Sequence, residues 1–112
     1  MSDTSEIMAL AVVEAFDGKD EECLHLLHDF YAVLRRKQYS RDLLYRDLKD
    51  SRRFINIRYW RSDETRQEAQ HDPDVHKFWQ RLSEIAKVTQ VYERLKDVTP
   101  ADSMAKRQGV ET

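Results

Sequence analysis

The chain has 112 residues, with 19 basic and 21 acidic side chains and a formal charge of −2. That length suits one domain with a thin core, and the near-neutral balance excludes nucleic acid, whose phosphates need a clustered excess of Lys and Arg. The longest apolar run, residues 7–13, is too short to span a bilayer, and the lone Cys23 excludes an internal disulfide, so a soluble, cytoplasmic domain with no membrane contact is expected.

Residues 1–5 are small and polar, and residues 97–112 lack apolar periodicity; both ends read as flexible, leaving a folded domain over 6–96. Residues 6–16 (EIMALAVVEAF) are nearly continuous apolar sequence bounded by Asp17-Gly18, which predicts a strand buried on both faces. Asp20, Glu21 and Glu22 then open a helix, where carboxylates suit the positive end of the dipole, and Arg35, Arg36 and Lys37 close it. Between them Cys23, Leu24, Leu27, Phe30, Tyr31 and Leu34 recur at helical spacing, predicting a helix over 19–38.

Two strands over 43–48 and 53–61 flank Lys49-Asp50-Ser51-Arg52, a polar connection suited to a hairpin. The second alternates strictly, with Phe54, Asn56, Arg58 and Trp60 on one side and Ile55, Ile57 and Tyr59 on the other. Ser62 can cap the next helix, and Asp72-Pro73 restarts or bends it, because Pro is welcome at a first helical position. Val75, Phe78, Trp79, Leu82, Ile85 and Ala86 form its apolar stripe, and 88–95 (VTQVYERL) is the last strand.

The order strand, helix, strand, strand, helix, strand predicts an α+β fold of the ferredoxin-like βαββαβ type. Its four-stranded antiparallel sheet has the first and third strands at the centre, and right-handed crossovers put the helices on one face. The first strand nevertheless carries apolar residues on both sides, and a bare second face exposes an apolar patch that soluble monomers avoid. A second copy of the chain is the expected cover, giving a homodimer that forms a dimeric α+β barrel.

The segments YRDLKDSRRFINIRYWRSDE, HDPDVHKFWQRL and VTQVYERL resemble the antibiotic biosynthesis monooxygenase family, and the likeness extends over nearly the whole folded chain. The resemblance implies a dimeric α+β barrel with a cleft between sheet and helices. It also implies oxidation of an electron-rich aromatic or polyketide-like molecule by O2, with no metal, flavin or other cofactor. In such chemistry a substrate phenolate or enolate supplies the electron while the protein stabilises the anion. A haem-degrading branch of similar proteins uses an Asn on the first strand and Trp and His on the second helix. Here the first strand has no Asn, and Ala69 and Trp79 stand at the corresponding helical positions, which places haem binding or degradation third.

On the residues themselves, Arg58, Asn56 and Trp60 could bind a planar anion, the guanidinium taking the oxyanion, the indole stacking and the amide orienting a carbonyl. The alternative is a barrel interface in which these polar groups pair across the two-fold axis. His71 and His76 bracket the Asp72-Pro73 step; an imidazole there suits deprotonation of a phenol, with solvent-facing rings as the alternative. The expected site therefore has His76, Arg58 and Asn56 as catalytic groups and Trp60, Phe78, Tyr31 and His71 against the substrate. His25 and His28 share a helix face, but two ligands on one helix make no metal site, so no metal is expected. Cys23 is a core residue, unless its place near a helix N-terminus lowers its pKa. Asp42, Asp47 and Asp50 balance the basic runs and read as solvated edges. A non-catalytic ligand-binding or interaction module on the same fold is the rival reading.

Overall fold

The computed structural model describes residues 7–101. The flexible ends expected over 1–5 and 97–112 therefore lie, apart from 97–101, outside the described residues. Seven elements follow one another: β1 (Ile7–Ala15), α1 (Asp20–Arg36), β2 (Ser40–Arg46), β3 (Arg53–Trp60), α2 (Asp63–Gln70), α3 (Pro73–Ile85) and β4 (Ala86–Leu95). The strands form one sheet in the order β2-β3-β1-β4, every neighbouring pair antiparallel, with β1 and β3 central as the connectivity predicts.

The alternation read in β3 holds. Phe54, Asn56, Arg58 and Trp60 are buried, whereas Ile55, Ile57 and Tyr59 are half-exposed. Val13 and Ala15 of β1, with Phe54, pack beneath Cys23, Leu26 and Leu27 of α1 and Leu82 and Ile85 of α3. A second cluster joins Phe30 and Leu34 of α1 to Trp60, Ala69 and Val75. The helices thus cover one face of the sheet. On the other face Met8, Leu10 and Val12 are half-buried within the single chain, and Leu43, Tyr45 and Tyr92 stand exposed.

The second predicted helix is two. Ser62 caps α2 in a reciprocal pair with Thr65, its hydroxyl accepting from the Thr65 N–H while the Thr65 hydroxyl accepts from the Ser62 N–H. Pro73 then opens α3, and Asp72 caps it by accepting the Asp74 N–H at 2.9 Å. The same Asp72 carboxylate accepts from Lys37 Nζ at 2.8 Å and from the Tyr39 hydroxyl at 2.7 Å, fastening the α2-α3 junction to the end of α1. These bonds, Lys37 foremost and Tyr39 next, hold the Asp72 carboxyl at about 2, below its ordinary 3.8. A depressed carboxyl contributes stability above its unfolded value and loses it as pH falls through its folded one. Stability is therefore expected to fall between 3.8 and about 2 by an increment that Asp72→Asn abolishes, measured by thermal melts across that range.

Candidate functional site

The site begins with a size mismatch on the helix-covered face. Ala9 and Ala11 of β1 pair with Arg58 and Asn56 of β3. Their methyl groups leave space under the helices that larger residues would fill, and two adjoining cavities occupy it. One, of about 380 Å³, is lined by Val13, Leu27, Phe30, Tyr31, Leu82 and Val88. The other, of about 160 Å³, is bounded by Trp60, Arg66, Gln70 and Glu93. Ala11, Asn56, Arg58, Trp79 and Val91 line both, so an apolar chamber and a more polar one meet at the Asn56 and Arg58 side chains.

Arg58 is the electrostatic centre of this space. Its Nε donates to Asp42 Oδ2 at 2.6 Å, with the two side chains 8% and 1% exposed. Asp42 Oδ2 also accepts from Asn56 Nδ2 at 3.0 Å, and Asp42 Oδ1 accepts from the Ser40 hydroxyl at 2.9 Å. The carboxylate thus holds the amide and the guanidinium in fixed positions, as a buried ion pair must to be stable. The terminal nitrogens of Arg58 make no hydrogen bond to the described residues. No fully buried side-chain nitrogen or oxygen among those residues lacks a partner, so these nitrogens keep open surface, and Arg58 lines both cavities. Around the guanidinium carbon lie the rings of Trp60 at 5.2 Å, Phe30 at 5.3 Å and Tyr31 at 5.6 Å. Burial pushes the Tyr31 phenol well above its ordinary 10, partly opposed by Arg58, so it stays protonated and can act as a hydrogen-bond donor.

The structure brings together four of the expected site residues, Asn56, Arg58, Trp60 and Tyr31, and separates the other three. His76 is exposed, and its ring nitrogen meets the carbonyl oxygen of Gln70 at the α2-α3 junction. One residue in a helix is a turn of roughly 100°, which carries His76 off the face on which Val75, Trp79 and Leu82 point inward. His71, the residue after α2, is also exposed, and neither imidazole lines either chamber. Phe78 lies to the other side of the inward face and stacks on Phe30 at 5.1 Å and 12°, between the helices and away from the chambers. Trp60 and Phe78 therefore cannot sandwich one ring; Trp79, edge-on to Phe30 at 5.4 Å, borders both chambers instead.

Asp42 is the residue the sequence reading missed. It is no solvated edge, because β2 starts at Ser40 and the hairpin register sets Asp42 directly opposite Arg58. Counting outward from the connection, with Arg46 against Phe54, would have found it. Arg66, Gln70 and Glu93 were likewise not singled out. Cys23 is fully buried and its thiol is pushed up to about 11, chiefly by that burial, which makes it an inert core residue. His25 and His28 are both exposed, and no group of three or more metal-binding side chains occurs among the described residues.

No protein-family model and no curated protein matches the sequence. Solved structures do match. SnoaB, a cofactor-independent oxygenase from Streptomyces nogalater, is 14% identical with a TM-score of 0.72, the alignment covering 86% of this chain and 99% of that one. A candidate antibiotic biosynthesis monooxygenase from Chloroflexus aurantiacus is 13% identical with a TM-score of 0.71, over 87% and 98%. The chain has the fold of the antibiotic biosynthesis monooxygenases. A further example of that fold, PA3566 from Pseudomonas aeruginosa, is 20% identical with a TM-score of 0.71, again over 87% and 98%. No helix among the described residues is long and apolar enough to cross a membrane.

Proposed function

We propose that the chain is a cofactor-independent monooxygenase that oxidises a small aromatic or polyketide-like molecule with O2. The observation that carries this reading is the open, aromatic-walled pair of chambers meeting at Asn56 and Arg58: Trp79 and Tyr31 line the space rather than fill it. Apolar walls with a few convergent polar groups are the usual form of a small-molecule site. The likeness of fold to SnoaB supports the class of chemistry.

In this reading a flat substrate lies along the chambers. Its oxygen accepts hydrogen bonds from the terminal nitrogens of Arg58, Asn56 orients a carbonyl, and Trp60 and Tyr31 bound the rings. Glu93, a cavity-lining carboxylate with no partner among the described residues, takes the proton in place of His76. The enolate left behind gives an electron to O2, and the resulting radical pair closes to a hydroperoxide. Loss of water leaves a ketone where a CH2 stood, so CH2 and O2 become C=O and H2O with all reducing equivalents drawn from the substrate. The guanidinium is already fixed where negative charge develops, which is how a preorganised donor favours the transition state over the ground state.

Oxygen uptake over a panel of phenols and anthrone-like ketones tests the proposal. Uptake is expected with the wild type and to fall by about tenfold or more in Ala11→Leu, whose added carbons occupy both chambers. No uptake by the wild type across the panel, together with tight binding of the same compounds, would favour the rival reading of a ligand-binding module.

The partner proposed is a second copy of the chain. Met8, Leu10, Val12, Ile55, Ile57, Leu43 and Tyr45 make the uncovered sheet face apolar, and pairing two such faces removes it from water. Sedimentation at micromolar concentration is expected to give twice the chain mass. Ile57→Lys, on that face, is expected to give a folded monomer; a wild-type monomer would refute the pairing.

A further inference from the structure

We propose that Asp42 makes the cavity selective for uncharged aromatic ligands, excluding those that arrive as anions. The inference rests on the reading above that the chambers bind a small aromatic molecule, and it names the charge state of that molecule.

Three formally charged side chains line the space. From β3 comes Arg58, from α2 Arg66 and from β4 Glu93; α1 and α3 contribute to the lining no ionisable group but the Tyr31 phenol. Each cation already has a carboxylate partner outside the lining, Arg58 in Asp42 at 2.6 Å and Arg66 in Asp63 at 3.0 Å, the latter also 3.9 Å from Arg94. Glu93 has no such match among the described residues. The lining therefore offers a ligand no uncompensated positive charge, and its one unmatched charge is negative. A carboxylate that left water for this space would lose its hydration without gaining a counter-ion, the condition under which burying charge is unfavourable. A neutral carbonyl or phenol loses far less on entry, and the terminal N–H groups of Arg58 still donate to it. Negative charge is then tolerated only where it arises, beside the guanidinium, after the proton has moved. Asp42 touches no ligand in this scheme; it acts through Arg58 and Asn56, and is a positioning and charge-setting residue.

Two probes of matched shape, 2-naphthamide and 2-naphthoate, separate the possibilities at about pH 7.5, where the carboxylate is ionised. Binding is read by quenching of Trp60 and Trp79 fluorescence. The wild type is expected to bind the amide more tightly by about tenfold or more. Asp42→Asn, which keeps an acceptor for Arg58 but removes the charge, is expected to reverse the order. A purely structural role for Asp42 would weaken both probes in proportion and leave their ratio unchanged, which would overturn the proposal. Equal or tighter binding of the naphthoate by the wild type would also overturn it while leaving the cavity a ligand site; this arm needs no variant, so a poorly folding Asp42→Asn does not decide the matter. Failure of both probes to bind at millimolar concentration would overturn the binding reading itself.

Discussion

Replacing Arg58 by Met is expected to destabilise the fold by about 3–5 kcal/mol, because it strands the Asp42 carboxylate in the interior. Asp42 is 1% exposed and would keep only the Asn56 amide and the Ser40 hydroxyl as side-chain partners, neither carrying a compensating charge. The double variant Arg58→Met with Asp42→Leu removes both charges and fills the space with carbon. It is expected to recover most of the loss, since a buried ion pair and a well-packed apolar replacement are often of similar stability. Urea denaturation of the two single variants and the double gives the coupling directly. An additive cycle, with the double variant as unstable as the sum of the singles, would mean that the pair does not act as a unit. Retention of a stable pairless protein that no longer binds aromatic probes would show that Arg58 is kept for the ligand and not for the fold.

The second large effect belongs to Phe30. Its ring is 2% exposed and lies against Phe78 at 5.1 Å, Trp79 at 5.4 Å and Tyr31 at 5.9 Å, so one side chain joins α1 to α3 and forms a wall of the larger chamber. Phe30→Ala is expected to cost about 3–5 kcal/mol, the usual range for deleting a buried ring whose neighbours cannot fully collapse. In a domain this small that lowers Tm by on the order of 20 °C. Trp79→Ala, at a residue 43% exposed, is expected to cost much less while enlarging both chambers, which Trp79 lines. The pair of variants separates the ring that supports the fold from the ring that shapes the space. Similar melting temperatures for both would contradict the packing described.

These effects also show which parts of the site could be read from the chain. Asn56, Arg58 and Trp60 could be assigned to one face because a strand alternates with a period of two, and the Ile55, Ile57 and Tyr59 set leaves no other phase. Asp42 escaped because Ser40 and Asp42 are polar and the apolar residues begin at Leu43, so hydrophobicity alone starts β2 too late. Pairing with β3 fixed that strand's extent, and pairing is a property of two segments. The imidazoles escaped for a related reason. His76 follows Val75 in the stripe, but a helix turns each neighbour away, and only the docking of α3 on α1 decides which flank of the stripe meets the cavity and which meets solvent. The chambers themselves come from Ala9 and Ala11, which in the sequence are merely small residues in an apolar run.

By itself the order of residues determined the kinds of element, their sequence and the sheet's connectivity. Apolar periodicity, the Ser62 and Asp72 caps and the hairpin connection are local properties, and right-handed crossovers leave few topologies for them. Tertiary structure alone decided that a carboxylate on β2 would sit behind the β3 guanidinium, that His71 and His76 would face water, and that two alanines would leave room for a ligand. Each of those outcomes depends on the register or phase of one element against another. Hydrophobic pattern constrains that only to within a residue, whereas the chemistry of a site changes with every single-residue step.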